Sequence, residues 1–393
     1  MKYVKHALAT LLIILLAMTG VQASEVPGDL NGDKIVSDDE LIAAERLAQE
    51  GTIASNQLEE IRNVHENYPK TITDSAGRNV TIYKPLDAVI PLSMTTYEPI
   101  FVLGAIDKIA GVRTDLRDAY YPWISGLENK PTIGGYKGID YEKVIELKPD
   151  MVFVSRYKPE INEKLKLANI PLFVLEFAQM DRFDDELQIL GELLDREDRA
   201  DEFISWRHNY LNQIIDRTEN IDPKVKVFIA TGNGPWGTST NGSGSHDVVT
   251  VAGGHNIGGE IQGESGGVAV DPEWVLKKDP EIVICLSWLA GEPPSNLTGY
   301  DITSPDNVEQ YLKTQYGSDV LKDIEAGKKH RIHVLYGPIT LGSCSAPIGV
   351  YYCAKWFYPE AFKDLEPEKL NEEYFEKWMG VPYAGIWAYP QAS

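Results

Sequence analysis

Gly138-Ile139-Asp140-Tyr141-Glu142-Lys143-Val144-Ile145-Glu146-Leu147-Lys148-Pro149-Asp150-Met151-Val152-Phe153 decides the fold, because the chain uses the pattern twice. It returns as Val268-Ala269-Val270-Asp271-Pro272-Glu273-Trp274-Val275-Leu276-Lys277-Lys278-Asp279-Pro280-Glu281-Ile282-Val283. Both copies pass from a helix start through Glu, a short helix, Lys and Pro into an apolar strand. Glu142 and Glu273 are as far apart in sequence as Pro149 and Pro280. A shared unit at domain-sized spacing predicts two similar lobes, and a cleft between two lobes is a default ligand site.

On either side of the first copy, short apolar runs alternate with helical stretches. Residues 87–92 and 151–155 read as strands, 97–104 and 140–147 as helices, and Val80-Thr81-Ile82-Tyr83 alternates like a strand. That alternation predicts βαβ units and mostly parallel sheets. From 181 to 220 no Pro occurs, and Leu187, Leu190, Leu194, Phe203, Trp206, Tyr210 and Ile214 recur at helical spacing. One helix of roughly 35 to 40 residues would span about 50 Å at 1.5 Å per residue, which suits a strut between lobes. Strand and helix alternation resumes with 225–230 and 282–286. The fold class is therefore α/β, two similar lobes with mostly parallel sheets joined by one long helix. The expected division is a signal at 1–23, a small module at 24–70, an N-terminal lobe at 71–180, the connecting helix at 181–220, and a C-terminal lobe with a helical extension at 221–393.

Lys2 and Lys5 head an apolar run over 7–21, followed by Val21-Gln22-Ala23. The run is shorter than the ~20 residues that span a bilayer. It predicts a secretory signal cut after Ala23, with an uncleaved anchor as the alternative. No Cys follows the run, which argues against a lipid anchor there. The chain carries 37 basic and 59 acidic residues, a net charge of -22. Phosphate backbones repel such a polyanion, so nucleic acid is not an expected partner. Of Cys285, Cys344 and Cys353, an exported chain is expected to join two, Cys344 with Cys353 being the first choice. Spacing leaves that pairing open.

Behind the signal stands Asp29-Leu30-Asn31-Gly32-Asp33-Lys34-Ile35-Val36-Ser37-Asp38-Asp39-Glu40. Asp29, Asn31, Asp33, Ser37 and Glu40 place oxygen donors at positions 1, 3, 5, 9 and 12, with the Ile35 carbonyl at position 7. A hard cation that wants six or seven oxygens is served by that spacing, so the segment is expected to bind calcium. The departure is Lys34, where Gly normally makes the turn at a cost of roughly 1 kcal/mol to any other residue. A second, poorer half, Gly51-Thr52-Ile53-Ala54-Ser55, lacks the acids. The segment looks like a single dockerin or EF-hand unit; a solvated acidic turn capping a helix is the plain alternative.

Four further blocks carry a family resemblance. Thr73-Asp74-Ser75-Ala76-Gly77-Arg78-Asn79-Val80-Thr81-Ile82, Leu103-Gly104-Ala105-Ile106-Asp107-Lys108-Ile109-Ala110-Gly111-Val112, Ile133-Gly134-Gly135-Tyr136 and Val251-Ala252-Gly253-Gly254-His255-Asn256-Ile257 occur in that order over about 71–357. Together with the two repeat copies they resemble the binding proteins of iron-siderophore, haem and vitamin B12 ABC importers. The resemblance implies two α/β lobes on one long helix, capture of a small ligand outside the cytoplasm, and delivery to a permease dimer in the membrane. It also implies that one acid per lobe, here Glu142 and Glu273, docks on permease arginines. Complementing the helix dipole is the competing role of an acid in a first turn. The protein is expected to act as a monomer and not as an enzyme.

The cleft should be lined by the loops that come after strands: 117–123, 134–136, 232–246 and 336–345. The expected ligand-binding residues are Tyr120, Tyr121, Tyr136 and Trp236 for aromatic faces, Arg156 for an anionic chelate, and Ser239 and Ser343 as hydroxyl donors. An iron(III) chelate of the siderophore type is the first expectation, with iron present only as part of the cargo. Corrinoid or haem comes second, and molybdate or tungstate is open because oxyanions need only backbone and hydroxyl donors. A secreted hydrolase with a calcium module is the different-class alternative. Gly263-Glu264-Ser265-Gly266-Gly267 matches a nucleophile elbow, but the next residues, Val268-Ala269-Val270, read as a strand and not as the helix an elbow needs. A bare zinc or manganese site would need more converging ligands than His246 and His255.

Overall fold

The computed structural model describes residues 26–232, 236–262, 266–289, 295–342 and 344–391. The predicted signal lies outside them. The first described element is a helical pair, Asp38–Gln49 (α1) and Ser55–Asn67 (α2). Ser37 starts α1 with a capping box: its hydroxyl accepts from the Glu40 N–H, and the Glu40 carboxylate accepts from the Ser37 N–H at 2.9 Å. Val26, Val36 and Val64 form the module's small core, with Tyr68 and Tyr83 packed against it. Those tyrosines seat the module on an antiparallel hairpin, Lys70–Thr73 (β1) and Asn79–Ile82 (β2).

The N-terminal lobe runs through Val89–Pro91 (β3), Met94–Val102 (α3), the two-residue strands Gly134–Gly135 (β4) and Gly138–Ile139 (β5), Tyr141–Glu146 (α4), Met151–Val154 (β6), Pro159–Lys166 (α5) and Leu172–Val174 (β7). Strands β3, β6 and β7 are parallel neighbours, and single bridges of Val89 to Ile109 and of Val112 to Thr132 extend the sheet. Parallel strands are covered on both faces, which is why β6 is buried at all four positions. Met151 and Phe153 point into the large central cluster, Val152 and Val154 into an outer one.

The predicted single helix over 181–220 is two. Phe183–Leu194 (α6) ends on Asp195 in the left-handed conformation, φ 59°, and Glu197–Thr218 (α7) starts afresh two residues on. The break packs tightly: a methyl at Gly191 would press on the Ala200 side chain. α6 belongs to the N-terminal lobe, burying Leu187, Leu190 and Leu194 in the central cluster. α7 alone is the strut, 22 residues and about 33 Å long. Near its start Arg199 donates to the Val102 carbonyl; near its end Arg217 pairs with Asp364.

The C-terminal lobe contains Lys226–Ala230 (β8), Gly237–Ser239 (β9), Gly244–Val251 (α8), His255–Asn256 (β10), Gly267–Ala269 (β11), Pro272–Lys278 (α9), Ile282–Ser287 (β12), Asp306–Tyr316 (α10), Glu325–Lys328 (α11), Ile332–Tyr336 (β13), Ala346–Phe357 (α12), Pro367–Glu373 (α13) and Ala388–Tyr389 (β14). The sheet order is β11-β9-β8-β12-β13-β14, with β10 on β8; β8, β12 and β13 are mutually parallel. Alternation repeats here: Ile282, Ile284 and Leu286 face the central cluster, Val283 and Cys285 an outer one.

The sequence repeat is a structural repeat. Asp140 caps α4 and Asp271 caps α9, each accepting a backbone N–H of its own first turn. Each helix is succeeded by a residue forced left-handed, Lys148 and Asp279, both at φ 47°. Then comes a buried Pro and an acid that holds the start of the neighbouring strand. Asp150 accepts from the Asp87 and Ala88 N–H groups before β3, and Glu281 from the Lys226 N–H of β8.

The expected Cys344–Cys353 disulfide is not formed. All three cysteines are free and buried. Cys353 faces the sheet from α12, lining the same small void as Ile284 and Leu286, whereas Cys344 lies beside Glu98 and Arg207.

Candidate functional site

The carboxyl ends of the parallel strands in both lobes open on one cleft. On the N-terminal side, Arg113 comes directly after the strand position Val112 and is buried. Its guanidinium donates to the Leu92 carbonyl at 3.1 Å and to Asp115 at 3.2 Å, and its N–H donates to the Tyr97 hydroxyl. Above it lies the Tyr136 ring, 5.9 Å from the guanidinium and 86% exposed. The β4–β5 turn that carries Tyr136 depends on Gly134 at φ 88°, where a methyl would run into the Gly138 carbonyl. An aromatic ring left in solvent over a fixed cation is a face prepared for a flat or apolar ligand surface.

On the C-terminal side, Trp288 stands at the end of β12 and donates to the Thr231 carbonyl at 3.1 Å. Gly337 lets the indole lie flat on the backbone, since a methyl there would sit 2.7 Å from the ring. The lobes meet in aromatic contacts. Trp123 stacks on Tyr300 with centroids 4.8 Å apart, and the half-buried Tyr120 hydroxyl accepts from the Leu289 N–H.

At the base of the cleft a cavity of about 10 Å³ separates α3 from the C-terminal segment. Glu98 of α3 enters it from one lobe, and Ser345 of the other donates to its carboxylate at 3.1 Å. Tyr121, Trp123, Tyr336, Phe375 and Trp387 wall it. Asn371 and Tyr374 also line it, and the Asn371 amide is fully buried with the Tyr352 and Tyr383 hydroxyls as its polar neighbours. Burial pushes the hydroxyls of Tyr121, Tyr336 and Tyr374 well above the ordinary phenol range, and the Glu98 charge adds to the shift. All three are neutral at physiological pH.

The structure gathers some of the predicted ligand residues and disperses others. Tyr120, Tyr121 and Tyr136 lie on the cleft or its base, Tyr121 being only 6% exposed. Arg156 is exposed at the end of β6, and the next residue, Tyr157, packs under Arg78. Trp236 packs against the outer cluster of the C-terminal lobe. Ser239 is buried, its hydroxyl 2.6 Å from that of Ser245, where it ties β9 to α8. Ser343 lies outside the described residues. Sequence reasoning missed Arg113, Glu98, Asn371, Tyr374, Phe375 and Trp387. The available signals were a lone acid in the otherwise uncharged Met94–Val102 and the aromatic density after residue 373.

Glu142 and Glu273 are exposed in the first turns of α4 and α9. In the N-terminal loop, Lys34 adopts φ 69°, the turn that position requires. Asp29 accepts from the Gly32 and Lys34 N–H groups and Asp33 from Ile35. Burial works to raise the Glu40 carboxyl, yet donors from Ser37, Leu30 and Asn31 outweigh it and hold the group below its usual range. Among the described residues, no three His, Cys, Asp or Glu side chains converge as a metal site.

The family of periplasmic binding proteins matches over residues 89–337. The molybdate-binding protein MolA of Haemophilus influenzae is 23% identical over 345 residues, covering 80% of this chain and 92% of that one. The uncharacterised ABC transporter substrate-binding lipoprotein YvrC of Bacillus subtilis is 24% identical over 333 residues, covering 82% and 96%. Among solved structures, the TroA-like periplasmic binding protein FepB of Veillonella parvula superposes with a TM-score of 0.66 at 24% identity, over 81% of this chain and 99% of that one. Two α/β lobes on a helical strut, a cleft at the strand ends and a family match across both lobes lead to one conclusion: the chain belongs to the periplasmic binding proteins and is the substrate-binding component of an ABC importer.

Proposed function

We propose that the protein works outside the cytoplasmic membrane, captures one compact metal-bearing ligand between its lobes, and hands it to a two-fold permease through Glu142 and Glu273. An iron(III) chelate of the siderophore type is the preferred cargo. The observation that carries this reading is the aromatic mouth, above all the exposed Tyr136 ring over Arg113. Molybdate is the second reading, favoured by the likeness to a molybdate-binding relative over 80% of the chain. Corrinoid and haem come after both. Calorimetry with a ferric trihydroxamate, haem, cyanocobalamin and molybdate tests the choice. The ferric chelate should bind one to one, and Tyr136→Ala should weaken it roughly three- to tenfold, the ~0.5–1.5 kcal/mol of one aromatic contact. Binding of molybdate alone overturns the chelate assignment; binding of none overturns capture of this ligand class.

The N-terminal loop is read as a calcium site. Its donors are hard oxygens at a spacing that suits the ion, and the backbone already makes the required turn at Lys34. The carboxylates now accept from loop N–H groups, so an ion would enter by reorienting them.

A further inference from the structure

We propose that the cavity at the cleft base recognises a primary ammonium group carried by the cargo, an assignment that rests on ligand capture between the lobes. Its free space, about 10 Å³, is that of a single water-sized group. An –NH₃⁺ head has that size and three N–H donors. The cavity offers acceptors to match. They are the Glu98 carboxylate, the Tyr374 hydroxyl beside it and the fully buried Asn371 amide. Ser345 holds the carboxylate in place from the opposite lobe, so a head bound there touches both halves of the molecule.

The walls point the same way. Trp123, Phe375 and Trp387 succeed one another around the cavity with centroid separations of 5.1 and 4.9 Å, and Tyr336 meets Trp387 at 4.8 Å. Ring faces attract cations, most strongly where water is scarce. A carboxylate or phosphate on the ligand would be repelled by Glu98. A hydroxyl would satisfy the acceptors without using the charge. A quaternary ammonium is too large for a water-sized space. Of these groups only a primary ammonium uses charge, acceptors, rings and volume together.

The test compares an iron(III) trihydroxamate bearing a free primary amine arm with the same chelate N-acetylated, by calorimetry at pH 7. The amine form should bind about tenfold tighter or more, the scale of one hydrogen bond to a charged group. Glu98→Gln should bring the ratio near one, the amine form losing more affinity than the acetylated form. Equal binding of the two forms by the unaltered protein, or a ratio that survives Glu98→Gln, overturns the inference and leaves chelate capture standing. If neither chelate binds, the chelate assignment fails and n-butylammonium tests the cavity alone through the fluorescence of Trp123 and Trp387. A saturable change lost in Glu98→Gln supports the site. No change, or an equal response to tetramethylammonium, overturns it. Should Glu98→Gln fail to fold, the comparison of amine and acetyl forms on the unaltered protein decides.

Discussion

His333 is the second residue of β13, its ring stacked on Trp356, centroids 4.3 Å apart, and neither ring nitrogen hydrogen-bonded. Burial first, and then the Arg331 charge, lowers its pKa to about 3 from 6.5. Between those values the unfolded chain binds a proton that the folded one refuses. Stability is therefore full above about pH 6.5 and falls towards pH 3, by about 1.4 kcal/mol per pH unit within that window. His333→Phe should flatten this acid limb, read as urea midpoints from pH 7 to pH 5; parallel slopes in the two proteins would refute the assignment. No sequence pattern announces such a residue, because His333 stands in an ordinary apolar strand run. Ser239 shows the opposite error. A hydroxyl-rich loop reads as a set of ligand donors, yet short hydroxyl side chains find nearby backbone or each other more readily than solvent. Ser243 caps α8 and Ser239 binds Ser245.

At the scale of elements, the repeated unit of helix start, helix, Lys, Pro and strand was legible, whereas the capping by Asp140 and Asp271 and the strand-holding acids after Pro emerged only in the structure. Local chemistry writes the order of the unit, so sequence carries it. The break between α6 and α7 was not legible. No Pro marks it, and the one Gly in the stretch, Gly191, lies inside α6; Asp195 takes the left-handed position itself, as a short polar residue is able to do. Apolar spacing continues through the break because both helices bury faces in one cluster. The calcium loop is likewise a matter of local spacing. Asp29→Ala combined with Asp33→Ala should abolish calcium binding by the module and leave ligand affinity at the cleft unchanged, since the module packs on the β1–β2 hairpin through a core of its own. Calorimetric titration with calcium reads this, and an unchanged calcium affinity would reduce the loop to an acidic helix cap.

Across the whole molecule, the repeat sets one exposed acid on each lobe, a geometry that a two-fold permease could use twice. Exposed ion pairs are worth about 0.2–1 kcal/mol each. Glu142→Ala or Glu273→Ala alone should slow vesicle uptake a fewfold and the double change far more, with the ligand dissociation constant unmoved. Normal uptake by the double variant would falsify the docking role. The base of the cleft was the least legible part of the site, because Glu98 and Ser345 are brought together from distant parts of the chain. The tail also bridges the lobes. Phe375 packs on Trp123 of the N-terminal lobe, while β14 pairs with β13 of its own lobe. The lobes are thus linked along α7 and again by the chain's last turns. Bodies pinned at one point swing freely, but bodies pinned at two turn only about the line between the pins. Any opening is therefore expected to follow the motion of a door, wider at the Tyr136 edge than beside the jamb where Glu98 stands.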